Sequence, residues 1–216
     1  MSRLIIVGAG GFGREVYGWV NQTPSFLQEY HVESIAFVDD DSSALKAWSH
    51  YPGVLCGLEQ YQPLTGDVVL CGIGSPSRRK EIVNQLEAKG SQFVSFFHHT
   101  ALVNAGVSLA RGAILCPLSV VSCDSQIGEF FILNVSSSVG HDVKIGNFVT
   151  FSAHCDATGG VVIGDGCMLG SGSRIIPSVV LGSNVKVGAG SVVVRGVRDN
   201  TSVFGIPAKP LPRRSV

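Results

Sequence analysis

One dipeptide in the sequence combines two side chains that together can move a proton. His141 is followed directly by Asp142. Imidazole titrates near neutral pH, and a carboxylate beside it raises its basicity and fixes its tautomer. Consecutive residues of a strand point to opposite faces, so these two side chains meet only if the backbone turns a corner. We interpret His141 as a candidate general base; the alternative is a surface histidine at an interface between subunits.

A glycine follows this histidine at a spacing that matters for catalysis. Gly159 lies 18 residues after His141, in the run Thr158-Gly159-Gly160. In a chain that repeats at this interval, Gly159 stacks beside His141, and its N–H can donate to the oxyanion formed when a carbonyl is attacked. The alternative is that the glycines only turn a corner. Cys123, 18 residues before His141, leaves a covalent acyl-enzyme route open.

A glycine-rich loop near the N-terminus predicts a nucleotide site. The segment 8–13 reads G-A-G-G-F-G and matches G-x-G-x-x-G between a strand and a helix. Glycines at these positions let the backbone approach a phosphate at the helix N-terminus. An acidic cluster at 39–41 ends the second strand, where a ribose or base contact is expected. The alternative is a tight turn beside a solvated acidic loop. The candidate ligands are Gly8, Gly10, Gly11, Phe12, Asp39 and Asp40.

Two further segments hold candidate substrate contacts. Gly74 and Ser75 follow a strand and precede the basic run 78–80. Loops at the carboxyl ends of parallel strands commonly hold ligands, and the basic residues are able to meet phosphate. A solvated helix start is an equally good interpretation of this segment. His99 falls at the expected domain junction, where a group attached to a bound nucleotide would emerge.

Residues 1–97 show the alternating pattern of an α/β domain. Apolar and amphipathic runs predict strands at 4–7, 34–38, 67–72 and 93–96 and helices at 14–22 and 77–89. Strands that alternate with helices predict a parallel sheet, here a Rossmann-like half domain. A segment of this length holds little more than one half of a dinucleotide-binding fold, which favours a mononucleotide ligand.

An internal repeat dominates residues 98–216. In steps of six from Val103 to Val193, all sixteen positions are apolar, without an insertion. A period of six fits neither an α-helix nor a simple strand; it is typical of a parallel β-helix whose hexapeptides each form one face of a prism. Three hexapeptides make a coil of about 18 residues, so the repeat predicts roughly five coils.

Composition excludes several functional classes. Lys plus Arg and Asp plus Glu are each 16, whereas a nucleic-acid-binding protein usually carries a basic excess. The sequence contains no apolar run of about 18 residues, the length that predicts a membrane span. The N-terminus lacks the zones of a signal peptide, so we expect a cytoplasmic protein. The six cysteines form no CxxC pair and the histidines form no closely spaced ligand set, so we expect no metal.

Several motifs together resemble one known family. They are GAGGFGRE at 8–15, VGHDVKIG around His141, the following GGVVIG, and the tail GIPAKP at 205–210. This combination resembles the bacterial sugar acyltransferases, which include sialic-acid O-acetyltransferases and nucleotide-amino-sugar N-acetyltransferases. The resemblance spans nearly the whole chain. It implies a left-handed β-helix, acetyl-CoA as donor, and a homotrimer with active sites between subunits.

The resemblance also implies a substrate class. The expected acceptor is the C4 amine of a nucleotide-linked 4-amino-4,6-dideoxy sugar, with GDP-perosamine favoured, for surface polysaccharide such as O-antigen. The alternative within the same fold is a sugar O-acetyltransferase that uses the same base on a hydroxyl. Two rival classes remain: a nicotinamide-dependent reductase, suggested by the glycine loop alone, and a non-catalytic trimeric scaffold.

Individual residues acquire roles from the same resemblance. It implies His141 as the base, Asp142 as its acidic neighbour, and Gly159 as the donor to the thioester oxygen. Phe12 stands where many relatives carry His, which suggests a different sugar or nucleotide pocket. The nucleotide site corresponds to the glycine loop with Asp39 and Asp40. The pantetheine arm of CoA is expected along the β-helix, with contacts at Gly159, Gly160, Gly170 and Gly188.

Overall fold

The structure, a computed structural model, describes residues 2–212. The chain divides into two compact units, residues 1–98 and residues 99–216. The first unit is α/β and the second is a parallel β-helix, which confirms the predicted fold class. Among the described residues, no helix combines the length and apolar character that crossing a membrane requires.

The first unit contains one parallel sheet of four strands and three helices. The sheet has the order β3-β2-β1-β4. In chain order the elements are β1 Ser2–Val7, α1 Gly11–Asn21, α2 Pro24–Glu29, β2 Val32–Val38, β3 Val54–Cys56, β4 Val68–Cys71, α3 Pro76–Glu87 and β5 Phe96–Phe97.

The central strand β1 forms the middle of this unit's core. Its apolar run from Leu4 to Val7 is fully buried, as expected for a strand with neighbours on both sides and helices over the sheet. Its partners β2 and β4 both run parallel to it. The carboxyl ends of these three strands therefore meet at one edge, followed by the glycine loop, the acidic cluster and the segment 72–75.

The sequence pattern misplaces or misses several short elements of this unit. The predicted strand at 93–96 is wrong: Phe93 makes a single bridge to Val69, and β5 comprises only Phe96 and Phe97. Helix α1 begins at Gly11 rather than residue 14, because glycines weaken the helical signal without preventing a helix. The pattern missed α2 and β3, which have six and three residues, because elements this short do not complete a hydrophobic period.

The second unit is a regular coil of two-residue strands. These are β6 Leu102–Val103, β7 Ser108–Leu109, β8 Ile114–Leu115, β9 Val120–Val121, β10 Gln126–Ile127, β11 Ile132–Leu133, β12 Ser138–Val139, β13 Lys144–Ile145, β14 Thr150–Phe151, β15 Asp156–Ala157, β16 Val162–Ile163, β17 Met168–Leu169, β18 Arg174–Ile175, β19 Val180–Leu181, β20 Lys186–Val187 and β21 Val192–Val193. Two longer strands follow, β22 Ser202–Gly205 and β23 Ala208–Pro210.

Strands one coil apart pair in parallel, so the predicted period of 18 residues is the register of the sheets. Ser138 pairs with Asp156, and Val139 pairs with Ala157. One face is the five-stranded sheet β19-β16-β13-β10-β7, and another is the six-stranded sheet β21-β18-β15-β12-β9-β6. The third face stacks β8, β11, β14, β17, β20 and β22 in order, and β23 pairs antiparallel to β22.

The core of the coil combines the apolar side chains of the six-residue series with those two positions before them, such as Phe131 and Val143. Val139, Ala157 and Ile175 are at most 1% exposed and stack in one inward column. The first predicted position departs from this pattern. Val103 is 42% exposed because its strand β6 ends the six-stranded sheet and has no coil beyond it.

Candidate active site

The corner after β12 holds the histidine–aspartate pair. His141 Nδ1 lies 2.7 Å from Asp142 Oδ2. Asp142 has a φ of 58°, a left-handed conformation that aspartate tolerates better than most residues. This corner turns both side chains to the same side, which an extended strand would not do. The pair expected from the sequence is therefore formed.

The contact with Asp142 determines the protonation of the imidazole. A carboxylate only accepts hydrogen bonds, so the proton of the neutral imidazole lies on Nδ1, and Nδ1–H donates a hydrogen bond to Asp142. Nε2 is left with its lone pair free to accept a proton. This is the arrangement that a general base requires.

Gly159 lies against the imidazole ring. A Cβ atom on Gly159 would fall 2.5 Å from His141 Nε2 and 2.6 Å from Cε1. A side chain at residue 159 would displace the imidazole ring from this position. The adjoining Gly160 N–H donates to the His141 carbonyl at 2.9 Å, which fixes the two coils in register. The predicted stacking of His141 and Gly159 is present.

The N–H of Gly159 is available as a donor. Its carbonyl accepts from Ser178 N–H at 3.0 Å, whereas its own N–H reaches no acceptor within residues 2–212. Gly140 allows the close approach, since a Cβ there would lie 2.7 Å from Gly159 N. The corner thus presents a base and an unused backbone donor side by side.

The His141 corner is open to solvent within one chain. The His141 and Asp142 side chains are 64% and 67% exposed. Cys123 occupies the same corner one coil earlier, and its carbonyl accepts from Asp142 N–H at 3.2 Å. In the described part of the chain, its thiol makes no hydrogen bond to a base.

Gly170 and Gly188 lie at a different corner of the coil. They follow β17 and β20 on the third face, whereas Gly159 and Gly160 follow β15 on the six-stranded sheet. A Cβ on Gly170 would lie 2.6 Å from Ala189 N, and one on Gly188 would strike the Phe204 ring. Both glycines are needed for close stacking of coils, and the structure does not bring them to the His141 corner.

A second candidate site is a cavity of about 330 Å³ in the first unit. It lies where the carboxyl ends of β1, β2 and β4 meet. Seven of the nine residues expected to bind substrate line it: Gly8, Gly10, Gly11, Phe12, Asp39, Asp40 and Gly74. Ser75 and His99 are not among its lining residues. Ser75 is the N-cap residue of α3, and His99 begins the second unit.

The two aspartates that line the cavity make different contacts. Asp39 accepts from Ala9 N–H at 2.7 Å and from Asp41 N–H at 2.9 Å, so its carboxylate braces the glycine loop. Asp40 accepts from Leu58 N–H at 2.9 Å, and its other oxygen lies 3.7 Å from Arg78. Asp40 and Arg78 therefore present an acceptor and a donor together at the cavity wall.

Of the basic run 78–80, only Arg78 lines the cavity. Arg79 is buried and Lys80 is exposed away from it. The sequence pattern singled out the run without ranking its members. It missed Leu58, whose backbone contribution has no signal in residue type. No cluster of three or more His, Cys, Asp or Glu side chains in the described residues is placed to hold a metal ion.

Comparison with known proteins identifies the combination of these two sites. Residues 3–86 match the family described as the PglD N-terminal domain, and residues 160–195 match the bacterial transferase hexapeptide family. The acetyltransferase domain of PglB from Neisseria gonorrhoeae FA1090 is similar over 98% of this chain and 100% of its own, at 26% identity and a TM-score of 0.86. These matches support the sugar acyltransferase family that the sequence predicts. The predicted family is thereby confirmed.

Two further proteins are similar to this chain. PerB from Caulobacter crescentus, solved with CoA and GDP-perosamine, matches it over 98% of each chain, at 27% identity and a TM-score of 0.83. The GDP-perosamine N-acetyltransferase of Escherichia coli O157:H7 is 29% identical over 137 residues. That match takes in 63% of this chain and 61% of the E. coli protein.

Proposed function

We propose that this sugar acyltransferase transfers an acetyl group from acetyl-CoA to the C4 amine of a nucleotide-linked 4-amino-4,6-dideoxy sugar. GDP-perosamine is the favoured acceptor, because PerB was solved in complex with it and the E. coli relative is named for it. The observation that carries the proposal is the His141 corner. Its Nδ1 is held by Asp142 at 2.7 Å, while its Nε2 faces Gly159.

The corner supports direct transfer. The amine nitrogen attacks the acetyl carbonyl carbon as His141 Nε2 accepts a proton from that nitrogen. The carbonyl oxygen becomes an oxyanion, and Gly159 N–H donates to it. When the intermediate collapses, the C–S bond breaks, and the departing thiolate takes the proton from the imidazolium. The products are the N-acetyl sugar and CoA thiol.

The general base and the oxyanion donor are each expected to make a large contribution to the rate. A positioned general base typically supplies about 10²- to 10⁴-fold in rate. One oxyanion donor contributes about 2.7–4 kcal/mol where such effects have been measured. Asp142 acts through His141 by fixing the tautomer and stabilising the imidazolium. No metal is invoked.

Substrate binding is divided between the two candidate sites. We assign the nucleotide to the cavity of the first unit, whose wall includes the glycine loop, Asp40 and Arg78. Ser75 and His99 remain predicted contacts of the nucleotide-sugar substrate. We assign acetyl-CoA to the β-helix beside Gly159 and Gly160, with Gly170 and Gly188 as predicted contacts further along it.

We assign the active unit to a homotrimer. The exposure of His141 and Asp142 supports this, because a base that works on a thioester needs walls that exclude water. A neighbouring copy of the chain placed over this corner would supply such a wall. The site would then lie between subunits.

A panel of acceptors tests the proposed function. CoA thiol release from acetyl-CoA is measured with GDP-, UDP- and dTDP-linked 4-amino sugars and with sialic acid, and each product is identified by mass spectrometry and NMR. We expect turnover with one nucleotide amino sugar and an acetamide at C4. An ester product would establish the O-acetyltransferase alternative, and no release with any acceptor would overturn the proposal.

A further inference from the structure

The largest fully buried side chain of the protein is a charged one. Arg79 is 1% exposed and lies in the first turns of α3, where its N–H donates to Ser75 O at 2.8 Å. Burial lowers its pKa to about 10, so the guanidinium is still charged at neutral pH. The proposed mechanism makes no use of this charge.

The guanidinium is directed at the loop between β4 and α3. Arg79 Nη1 donates to Ile73 O at 2.8 Å and to Gly74 O at 3.1 Å. Both carbonyls are thereby turned inward. Because the peptide group is planar and trans, the N–H that follows each carbonyl points away from Arg79. Ile73 and Gly74 themselves line the nucleotide cavity.

The opposite side of this loop is held by backbone contacts with the glycine loop. A Cβ on Gly8 would lie 2.9 Å from Ile73 Cγ1 and 3.1 Å from Gly72 O. A Cβ on Gly72 would lie 2.7 Å from Gly13 Cα. The two loops therefore form one continuous cavity wall, and a shift of residues 72–74 would change the space beside Gly8.

Stability alone does not account for an arginine at this position. Desolvating a guanidinium costs free energy that an apolar side chain of similar length would not cost. The return on that cost is geometric: one nitrogen of a rigid, planar guanidinium reaches two carbonyls of one loop. A group fixed in this way defines the wall against which a ligand binds.

We propose that Arg79 is a positioning residue for nucleotide binding, which holds the loop 72–75 in the conformation that receives the nucleotide of the substrate. This inference rests on the proposed function, because it takes the cavity to be the nucleotide site. Arg79 touches neither substrate. It acts on affinity for the nucleotide sugar and leaves the acetyl-transfer corner unchanged.

Two substitutions of Arg79 and a neighbouring control test the inference. Arg79→Met keeps a side chain of similar length but removes the charge and the hydrogen-bond donors. Arg79→Lys keeps the charge but replaces the guanidinium by one ammonium group. Lys80→Met is the control, because it alters an exposed position of the same helix. Binding of GDP, UDP and dTDP is measured by calorimetry, together with kcat and both KM values. Melting temperatures report whether each variant folds.

We expect Arg79→Met to weaken binding of the preferred nucleotide by about tenfold or more, since two carbonyls lose their donor. The KM for the nucleotide sugar should rise in parallel, while kcat and the KM for acetyl-CoA should stay within about twofold. Arg79→Lys should recover part of the affinity, and Lys80→Met should match the wild type. A folded Arg79→Met variant with wild-type affinity, or a loss confined to kcat, would overturn the inference.

Hydrogen exchange on the wild type keeps the test decisive if Arg79→Met does not fold. We expect added nucleotide to protect the backbone amides of residues 72–78; unchanged exchange there would overturn the inference.

The positioning role of Arg79 and the proposed function fail in different ways. If substitution of Arg79 leaves nucleotide binding unchanged, only the positioning role is refuted. If the wild type binds no nucleotide, the positioning role and the proposed function are both refuted. If the wild type binds nucleotide but transfers no acetyl group, only the proposed function is refuted.

Discussion

At the scale of single residues, the contact between His141 and Asp142 decides which ring nitrogen would act as the proposed base. Asp142 holds Nδ1 at 2.7 Å, and Gly159 leaves just enough space for Nε2 and Cε1. The catalytic account therefore depends on a carboxylate at 142 and on the absence of a Cβ at 159. Both requirements can be tested by substitutions that preserve the fold.

The substitution Asp142→Asn tests the tautomer. An amide can present its NH₂ group to Nδ1, which favours the proton on Nε2 and removes the base. We expect kcat to fall by about tenfold or more, with the KM values nearly unchanged. Asp124→Asn is the matched control, because Asp124 has the same left-handed conformation one coil earlier. Equal kcat values for the two variants would refute the role of Asp142.

The substitution Gly159→Ala tests the position of the ring. The added methyl group must displace the imidazole from beside the Gly159 N–H, and a shift of this size is expected to lower kcat by about 10- to 100-fold. Gly196→Ala is the control, since a Cβ there meets only Val180 O, at 3.4 Å. The measurement is steady-state CoA release by both variants. Full activity of Gly159→Ala would contradict the proposed geometry.

At the scale of elements, an ion pair ties the first strand to the turn before β4. Asp67 accepts from Arg3 Nε and Nη2 at 2.8 and 2.7 Å, from Tyr61 Oη at 2.9 Å and from Leu64 N–H at 3.0 Å. Burial alone would raise the pKa of Asp67, but these hydrogen bonds outweigh it and hold the pKa below its ordinary value. The ionised form of Asp67 thus stabilises the sheet whose strand ends border the cavity of the first unit.

The substitution Asp67→Asn should lower the free energy of unfolding at pH 7 by about 1–3 kcal/mol, because Arg3 loses its buried partner. A group whose pKa is depressed on folding contributes stability above its unfolded pKa, about 3.9, and loses it as pH falls through the folded value. The difference between wild type and variant should therefore shrink in acid.

Urea titrations at pH 7 and pH 3 measure this difference. Both tryptophans, Trp19 and Trp48, belong to the first unit, so fluorescence follows that unit alone. Glu81→Gln removes an exposed ion pair with Arg78 and should change stability little. If the free energies of unfolding of wild type and Asp67→Asn differ by the same amount at both pH values, ionised Asp67 is not the stabilising group.

The elements also show how far sequence reasoning reaches. The coil period placed Gly159 beside His141 because every hexapeptide has the same geometry and errors do not accumulate. The glycine loop and acidic cluster converge because parallel strands end at one edge of a sheet. The burial of Arg79 and the brace from Ala9 N–H to Asp39 depend on contacts distant in sequence. Residue type and spacing do not encode such contacts.

At the scale of the whole molecule, the exposure of His141 and Asp142 leads us to predict that activity depends on assembly. We expect sedimentation equilibrium to give the mass of three chains, and specific activity to fall when dilution dissociates the trimer. The measurement is activity against protein concentration, with the mass followed over the same range. A monomer with full activity would contradict the placement of the active site between subunits.

The central claim is that His141 removes the proton from the acceptor amine, and one comparison tests it most directly. Wild type and His141→Asn are assayed side by side for CoA release with acetyl-CoA and the preferred nucleotide amino sugar. We predict a loss in kcat of about 10²-fold or more, as for removal of a general base, with nucleotide binding retained. Turnover that survives the substitution would contradict the account.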